Sequence, residues 1–414
     1  MESLLSRRLF LEKTFEAVAY GALRRYVPKE ILTPELADVW LTEDEPSREI
    51  FLGDVMAGGD NSFLTTYYVG RTGEYLRYAD IKARLLTCVG DQTVVSGSLP
   101  LFESVLTPNS EIVDSCGVYN KVADKYVVAA SIYYPGTQKK ILAVQSATAA
   151  GGIGETIVLP FTDNIVRYGL SLVFLGDNYL LVYTDGRDGP DNLRVSYVMV
   201  DDDGNISGER LVGQKMAYPS VSFHPGNEQM LITMAGTPFW DYPGLNYVLL
   251  DPEGGVVQQG ILNPTSGFDR QQSLLSTPDT HYIVEQTVNG ANYLRIYELA
   301  GGIVNTHIIG LEGVSMSNTA CLDNGNLVIA AGVAKLTYPV AEYDLNLIQC
   351  NPITHQVKLK HHGLPGQYEG CPGIVANPLY TVTVYERSPA INDPNELYAK
   401  VERHYRNYLP VIKS

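Results

Sequence analysis

Carboxylates, histidines and aromatic loops are the groups in this chain that could do chemistry. Asp185, Asp188 and Asp191 place three carboxylates at i, i+3 and i+6 in one polar loop. Such a loop could hold a hard cation such as Ca²⁺, but its spacing departs from the D-x-D-x-D-G order of an EF-hand. Asp201-Asp202-Asp203-Gly204 is nearer in composition and lacks the closing bidentate Glu. Both stretches read as solvated turns, and no metal site is expected. The 7 histidines (His224, His281, His307, His355, His361, His362 and His404) all lie in the second half. No Ser-His-Asp or Cys-His relation follows from their spacing. His361 and His362 are adjacent, so on a strand they face opposite ways and cannot share one ligand. A GxSxG elbow and a P-loop are absent, and Ala150-Gly151-Gly152-Ile153-Gly154 lacks the Lys and helix of a phosphate cradle. Motifs therefore name no catalytic residue and no cofactor. Asp185, Asp241, Asp269 and Glu369 could still be assembled into a carboxylate pair for glycoside hydrolysis.

Composition narrows the partners. The formal net charge is -16, which argues against a nucleic-acid partner and against anionic lipid. Hydrophobic residues make up 45% and charged residues 18% of the 414, enough to bury a core and too little charge for disorder. The 28 tyrosines lean the chain toward strands. The 5 cysteines (Cys88, Cys116, Cys321, Cys350 and Cys371) are dispersed without CxxC pairs and read as reduced core residues. No apolar run approaches the roughly 20 residues of a membrane-spanning helix.

The element that must position any site is a repeat. Gly176-Asp177-Asn178 is a turn, and Tyr179-Leu180-Leu181-Val182-Tyr183 a continuous apolar strand. Leu193 to Val200 alternates with period 2, Asp201 to Asn205 turns tightly, and Ile206 to Val212 leads into a last strand. Copies of the Tyr179 strand follow turn residues at Phe63, Tyr126, Met230, Tyr282, Leu327 and Tyr380. They step by roughly 45 to 60 residues, the range of solenoids and propellers. Unit boundaries fall near 49–106, 107–161, 162–214, 215–263, 264–311, 312–364 and 365–411. A two-layer sandwich is the rival, and it does not account for the regular step.

This pattern resembles the broad class of seven-bladed β-propellers. The resemblance implies an all-β fold of four-stranded antiparallel blades, with a body over 49–414. The WD dipeptide, the kelch double glycine and the aspartate box of sialidase-like propellers are absent, so no family's active site carries over. In a propeller the lead-ins to the innermost strands open on one face with the rim loops. Tyr168, Tyr218, Phe268, Met316 and Tyr368 fall there in register, with charges at Arg167, Asp269, Arg270 and Glu369. The rim loop Phe239-Trp240-Asp241-Tyr242-Pro243 adds three aromatics. Arg167, Tyr168, Tyr218, Trp240, Tyr242, Asp269, Arg270, Tyr368 and Glu369 form the expected ligand or partner face. Such a face could stack sugars or grip a partner's side chain; packing between blades would use the same aromatics.

Residues 1–48 read as a separate arm. Ser6-Arg7-Arg8-Leu9-Phe10-Leu11-Glu12-Lys13 is similar to a twin-arginine export signal, but Glu16 interrupts its apolar part and Arg24-Arg25 closes it early. Leu4, Leu11, Phe15, Val18 and Ala22 instead mark one face of an amphipathic helix, ended by Pro28 and followed by an acidic connector over 33–48. A lone helix of this length needs a surface to pack on. The expectation is a non-catalytic recognition propeller, docked by its arm into an oligomeric assembly of protein subunits. A virion or other particle assembled in the cytoplasm, such as a bacteriophage tail or fibre, is the expected setting. Two alternatives stand beside it. One is a carbohydrate-active enzyme, lyase or hydrolase, with a glycan at the mouth; the other is an exported or periplasmic propeller.

Overall fold

The computed structural model describes residues 38–42, 50–59, 61–70, 78–187, 193–224, 226–236, 244–264, 272–286, 293–311, 314–323, 325–337, 340–352, 354, 356–362, 368–388 and 395–404. The helix expected over the arm, with Leu4, Leu11, Phe15 and Val18, lies outside them. Among the described residues every regular element is a strand, and the strands form sheets of 8, 9, 4, 4 and 4 strands in which antiparallel sets follow one another along the chain. Each set begins with an inner strand: Ile50–Ala57, Glu111–Asn120, Arg167–Phe174, Met216–His224, Gln272–Ser276, Val314–Asp323 and Tyr368–Ala376. The second strands are the expected copies: Ser62–Gly70, Lys125–Tyr134, Tyr179–Asp185, Gln229–Gly236, His281–Gln286, Asn326–Thr337 and Tyr380–Ser388. The third set, for example, adds Arg194–Val200 and Arg210–Gln214 in simple order.

Packing explains why the second strands are apolar throughout rather than alternating. All seven residues of Tyr179–Asp185 are buried. Tyr179, Leu181 and Tyr183 join a core cluster with Cys116, Val127 and Leu142 of the second set. Leu180 and Val182 join another with Val221, Met230 and Ile232 of the fourth. A strand sandwiched between two neighbouring sheets buries both faces and reads as a hydrophobic run. Each aliphatic side chain so buried contributes roughly 1.5–3 kcal/mol before conformational entropy is subtracted. One such cluster lies between every consecutive pair of sets, and another joins the last set to the first. Sheets packed face to face in a closed circle make a β-propeller.

The connector read at 33–48 has a structural part in that circle. Val39–Trp40 pairs with Glu396–Arg403 and becomes the outermost strand of the last set. Asp38 binds Arg387 at 2.8 Å, and the Trp40 ring stacks on Tyr398 with centroids 6.1 Å apart. The Leu41 N–H donates to the Leu397 carbonyl (2.8 Å), and the Leu397 N–H donates to Thr42 Oγ1 (3.1 Å). Leu41 is 2% exposed, within the cluster that joins first and last sets. The beginning and the end of the described chain thus clip the circle shut. Truncating Leu41→Ala removes a buried side chain from this seam. It should cost about 2–5 kcal/mol, read as a lower urea midpoint with an unchanged slope.

Candidate functional site

The inner strands surround the axis too far apart to pair with one another as a continuous sheet. Six of the seven carry a register shift, at Leu52/Val55, Ile112/Asp114, Tyr168/Ser171, Ala217/Ser220, Ser315/Ser317 and Gly370/Gly373. Bulges interrupt the ladder, so nearby N–H groups lose sheet partners and need others. Side chains of the preceding set supply them. The Gly117 N–H donates to Asp54 Oδ2 (2.8 Å) and the Leu170 N–H to Asp114 Oδ2 (2.7 Å). The Val221 N–H donates to Ser171 Oγ (3.1 Å), the Ala320 N–H to Ser273 Oγ (3.1 Å) and the Ile374 N–H to Thr319 Oγ1 (2.9 Å). The Leu52 N–H closes the series by donating to Glu386 Oε1 of the last set (2.9 Å). Between fourth and fifth sets the link is side chain to side chain, from Ser276 Oγ to Ser222 Oγ (2.9 Å).

These acceptors wall a cavity of about 550 Å³ at the axis, lined by Asp54, Asp114, Ser115, Tyr168, Ser171, Tyr218, Ser220, Ser273 and Thr319 among others. Tyr168 and Tyr218, expected at this mouth, meet there edge to face with centroids 5.8 Å apart. Tyr218 sits at φ 51°, in the left-handed region that a bulky residue occupies only at a cost of roughly 1–3 kcal/mol. Its N–H is held by Thr184 Oγ1 (2.9 Å). Gly169 occupies the corresponding bulge of the third set at φ 57°, where an added Cβ would lie 3.1 Å from the Tyr218 Cα. The two bulges nest, and this close approach is why one of them is glycine.

Burial governs the electrostatics. Desolvation pushes the Asp114 carboxyl up to about 6, against the pull of N–H donors from Leu170, Ser115 and Gly169, with a smaller push from the Asp54 charge. Asp54 is raised for the same first reason and is opposed by the Gly117 and Val55 N–H groups. Asp54 accepts one N–H at each oxygen and Asp114 accepts three across its two, and a carboxylate has about four lone-pair sites in all.

The other expected face residues are distributed differently. Arg167 is 3% exposed: it grips both Asp163 oxygens (2.8 and 2.9 Å), with its guanidinium 3.7 Å from the Phe161 ring centre. Asp185 is fully buried against Arg187, which also binds Glu209. That network uses the Asp185 and Arg187 charges of the rim loop; Asp188 and Asp191 lie outside the described residues. Trp240, Tyr242, Asp269, Arg270 and Phe268 lie outside the described residues. Tyr368 and Glu369 are placed by backbone alone, at the start of the seventh inner strand, paired with Ser388 and Arg387. Asp201 caps its own turn through Asn205 and Asp203. His224 and His281 are buried at the opposite end of the strands, rings 5.1 Å apart, with His281 Nδ1 2.7 Å from Ser276 Oγ. Asp54 and Asp114 escaped the motif search. The signal for them was an acid directly after apolar inner-strand residues, Leu52-Gly53-Asp54-Val55 and Ile112-Val113-Asp114.

No protein-family model matches the chain, and no curated protein matches it by sequence. Solved structures do. A Hadza microbial sialidase is similar at TM-score 0.52 and 12% identity, over 71% of this chain and 65% of that one. The polysaccharide lyase Uly1 is similar at TM-score 0.53 and 9% identity, over 85% and 90%. A Pyrococcus horikoshii acylaminoacyl peptidase is similar at TM-score 0.50 and 9% identity, over 87% and 53%. The chain thus spans less than two thirds of the sialidase and about half of the peptidase. At these identities the likeness is one of fold.

The Asp114→Ala variant strips the Leu170 N–H of its acceptor inside the wall. The expected loss is about 1–3 kcal/mol in urea unfolding at neutral pH, whereas Asp114→Asn, which keeps a carbonyl oxygen, stays nearer the parent.

Proposed function

We propose that the chain is a seven-bladed β-propeller acting as a recognition module, with a saccharide as ligand of its axial channel. The observation that carries this reading is the pairing of Tyr168 with a backbone-strained Tyr218 in the wall of the 550 Å³ cavity. The bulge that imposes this backbone also presents the Tyr218 ring to the cavity, and strained backbone of this kind clusters at functional sites. The chemistry of the wall fits a sugar. Tyrosine rings offer apolar faces to C–H groups, while Ser171, Ser220 and Thr319 with the two carboxylates offer hydrogen-bond partners to hydroxyls. Pockets of a few hundred cubic ångströms suit one or two rings.

In this proposal the arm over residues 1–48 docks the propeller into a larger particle through the face bearing Leu4, Leu11, Phe15 and Val18. Its anchor is the strand Val39–Trp40. Deleting residues 1–30 should then reduce the particle mass seen by light scattering to that of a monomer without shifting the unfolding midpoint.

A second reading, a carbohydrate-active enzyme, is favoured by Asp114. A carboxyl raised to about 6 is matched to proton transfer near neutrality. The names sialidase and polysaccharide lyase among the similar structures point the same way.

Calorimetric titration with neutral oligosaccharides separates the possibilities. The Tyr218→Ala variant should weaken binding by roughly tenfold or more, the scale of a lost aromatic contact. Unchanged affinity in that variant removes the channel from consideration. Release of new sugar ends from a polysaccharide panel, abolished in Asp114→Asn, would establish the enzyme reading instead.

A further inference from the structure

The charge of the channel goes beyond its shape. Asp54 and Asp114 are the charged side chains in the described lining, and no Lys, Arg or His shares that wall. The two carboxylates come from neighbouring inner strands, and each is held in place by backbone N–H groups rather than by a cation. A held, poorly hydrated anion with spare lone pairs attracts a cation strongly and repels another anion. Tyrosine faces beside it add cation–π attraction, on the order of 0.5–2 kcal/mol.

We infer that the channel selects saccharides by charge, favouring amino-bearing sugars with a protonated ammonium group, admitting neutral ones less well and excluding sugar acids. This rests on the saccharide reading above and names the class of ligand within it. The ammonium would lie between the two carboxylates and the tyrosine pair, while ring hydroxyls reach the serines. Selection weakens as the acids take up protons. The groups facing Asp114 are Asp54 of the first inner strand, Tyr68 of the first set's second strand and Cys116 of its own strand. Burial drives the Tyr68 hydroxyl and the Cys116 thiol well above their ordinary values, so both stay neutral in mild acid. Between pH 7 and 5 the channel therefore loses charge at Asp114, near 6.

The test titrates the full chain at low salt with three disaccharides: a glucosamine dimer, its N-acetylated form and a galacturonate dimer. The expected result at pH 7 is roughly tenfold tighter binding of the glucosamine dimer than of the N-acetylated one, and no measurable galacturonate binding. That preference should shrink by pH 5 in the unaltered protein, as Asp114 takes up its proton, and fall toward unity at pH 7 in Asp54→Asn/Asp114→Asn. Far-ultraviolet circular dichroism checks that the fold persists in each case. A preference that is absent at pH 7, or that holds unchanged to pH 5, overturns the charge inference and leaves the saccharide reading standing. So does galacturonate binding equal to that of the amino sugar. If none of the three dimers binds, both the inference and the reading beneath it are wrong.

Discussion

Inner strands that splay around an axis cannot satisfy one another's backbone by sheet pairing, and this structure is organised around the answer to that problem. An acceptor side chain of one set, on the inner strand in every case but Glu386, takes an N–H from the inner strand of the next. Asp54 serves Gly117, Asp114 serves Leu170, Ser171 serves Val221, Ser273 serves Ala320, Thr319 serves Ile374, and Glu386 returns to Leu52. An unsatisfied buried N–H costs about 1–3 kcal/mol, so a ring of six such bonds is a large fraction of the net stability of a domain. The bonds are also directional. They fix how far each sheet is rotated about the axis, which the non-directional apolar clusters between sheets do not do.

Closure follows the same logic at the perimeter. The last sheet would present Glu396–Arg403 as an open edge if Val39–Trp40 did not pair with it. Because that strand comes from the other end of the described chain, opening the circle requires separating residues more than three hundred positions apart. The Asp38–Arg387 ion pair and the Trp40–Tyr398 stack lie at the surface and add little by themselves. Leu41, sunk between first and last sets, joins the buried cluster of this seam with Ile50, Phe63, Tyr67 and Leu397.

The channel wall inherits its chemistry from the hydrogen-bond ring. Asp54 and Asp114 are there to satisfy backbone, yet burial leaves them as poorly hydrated acids facing the cavity. Tyr218 is forced to positive φ by the bulge it occupies, and Gly169 yields the space its neighbour needs. Structural demand and recognition chemistry therefore fall on the same few residues. A substitution in the wall acts on both, which is why the conservative Asp→Asn changes are more informative than truncations.

Much of the architecture was legible in the chain itself. The continuous apolar runs led by Tyr179 and its copies announce strands buried on both faces, and their regular step announces repeated sheets, because burial and spacing are local properties of sequence. Tyr168 and Tyr218 were legible as two of five residues in register through the same step, but their contact was not. The importance of Asp54 and Asp114 was not, since an acid in an inner strand acquires meaning only when a bulge on the neighbouring sheet turns an N–H toward it. Arg167 illustrates the converse. Its position in register marked it as a face residue, but Asp163, Phe161 and Tyr183 close over it in three dimensions. Val39–Trp40, read as connector, became a strand because its partner lies at the far end of the described chain. Periodicity determined the sheets and their order; tertiary structure alone decided which polar groups face the axis and which are consumed, because that depends on how the folded chain places their partners, from Asp163 four positions from Arg167 to Leu170 56 positions from Asp114.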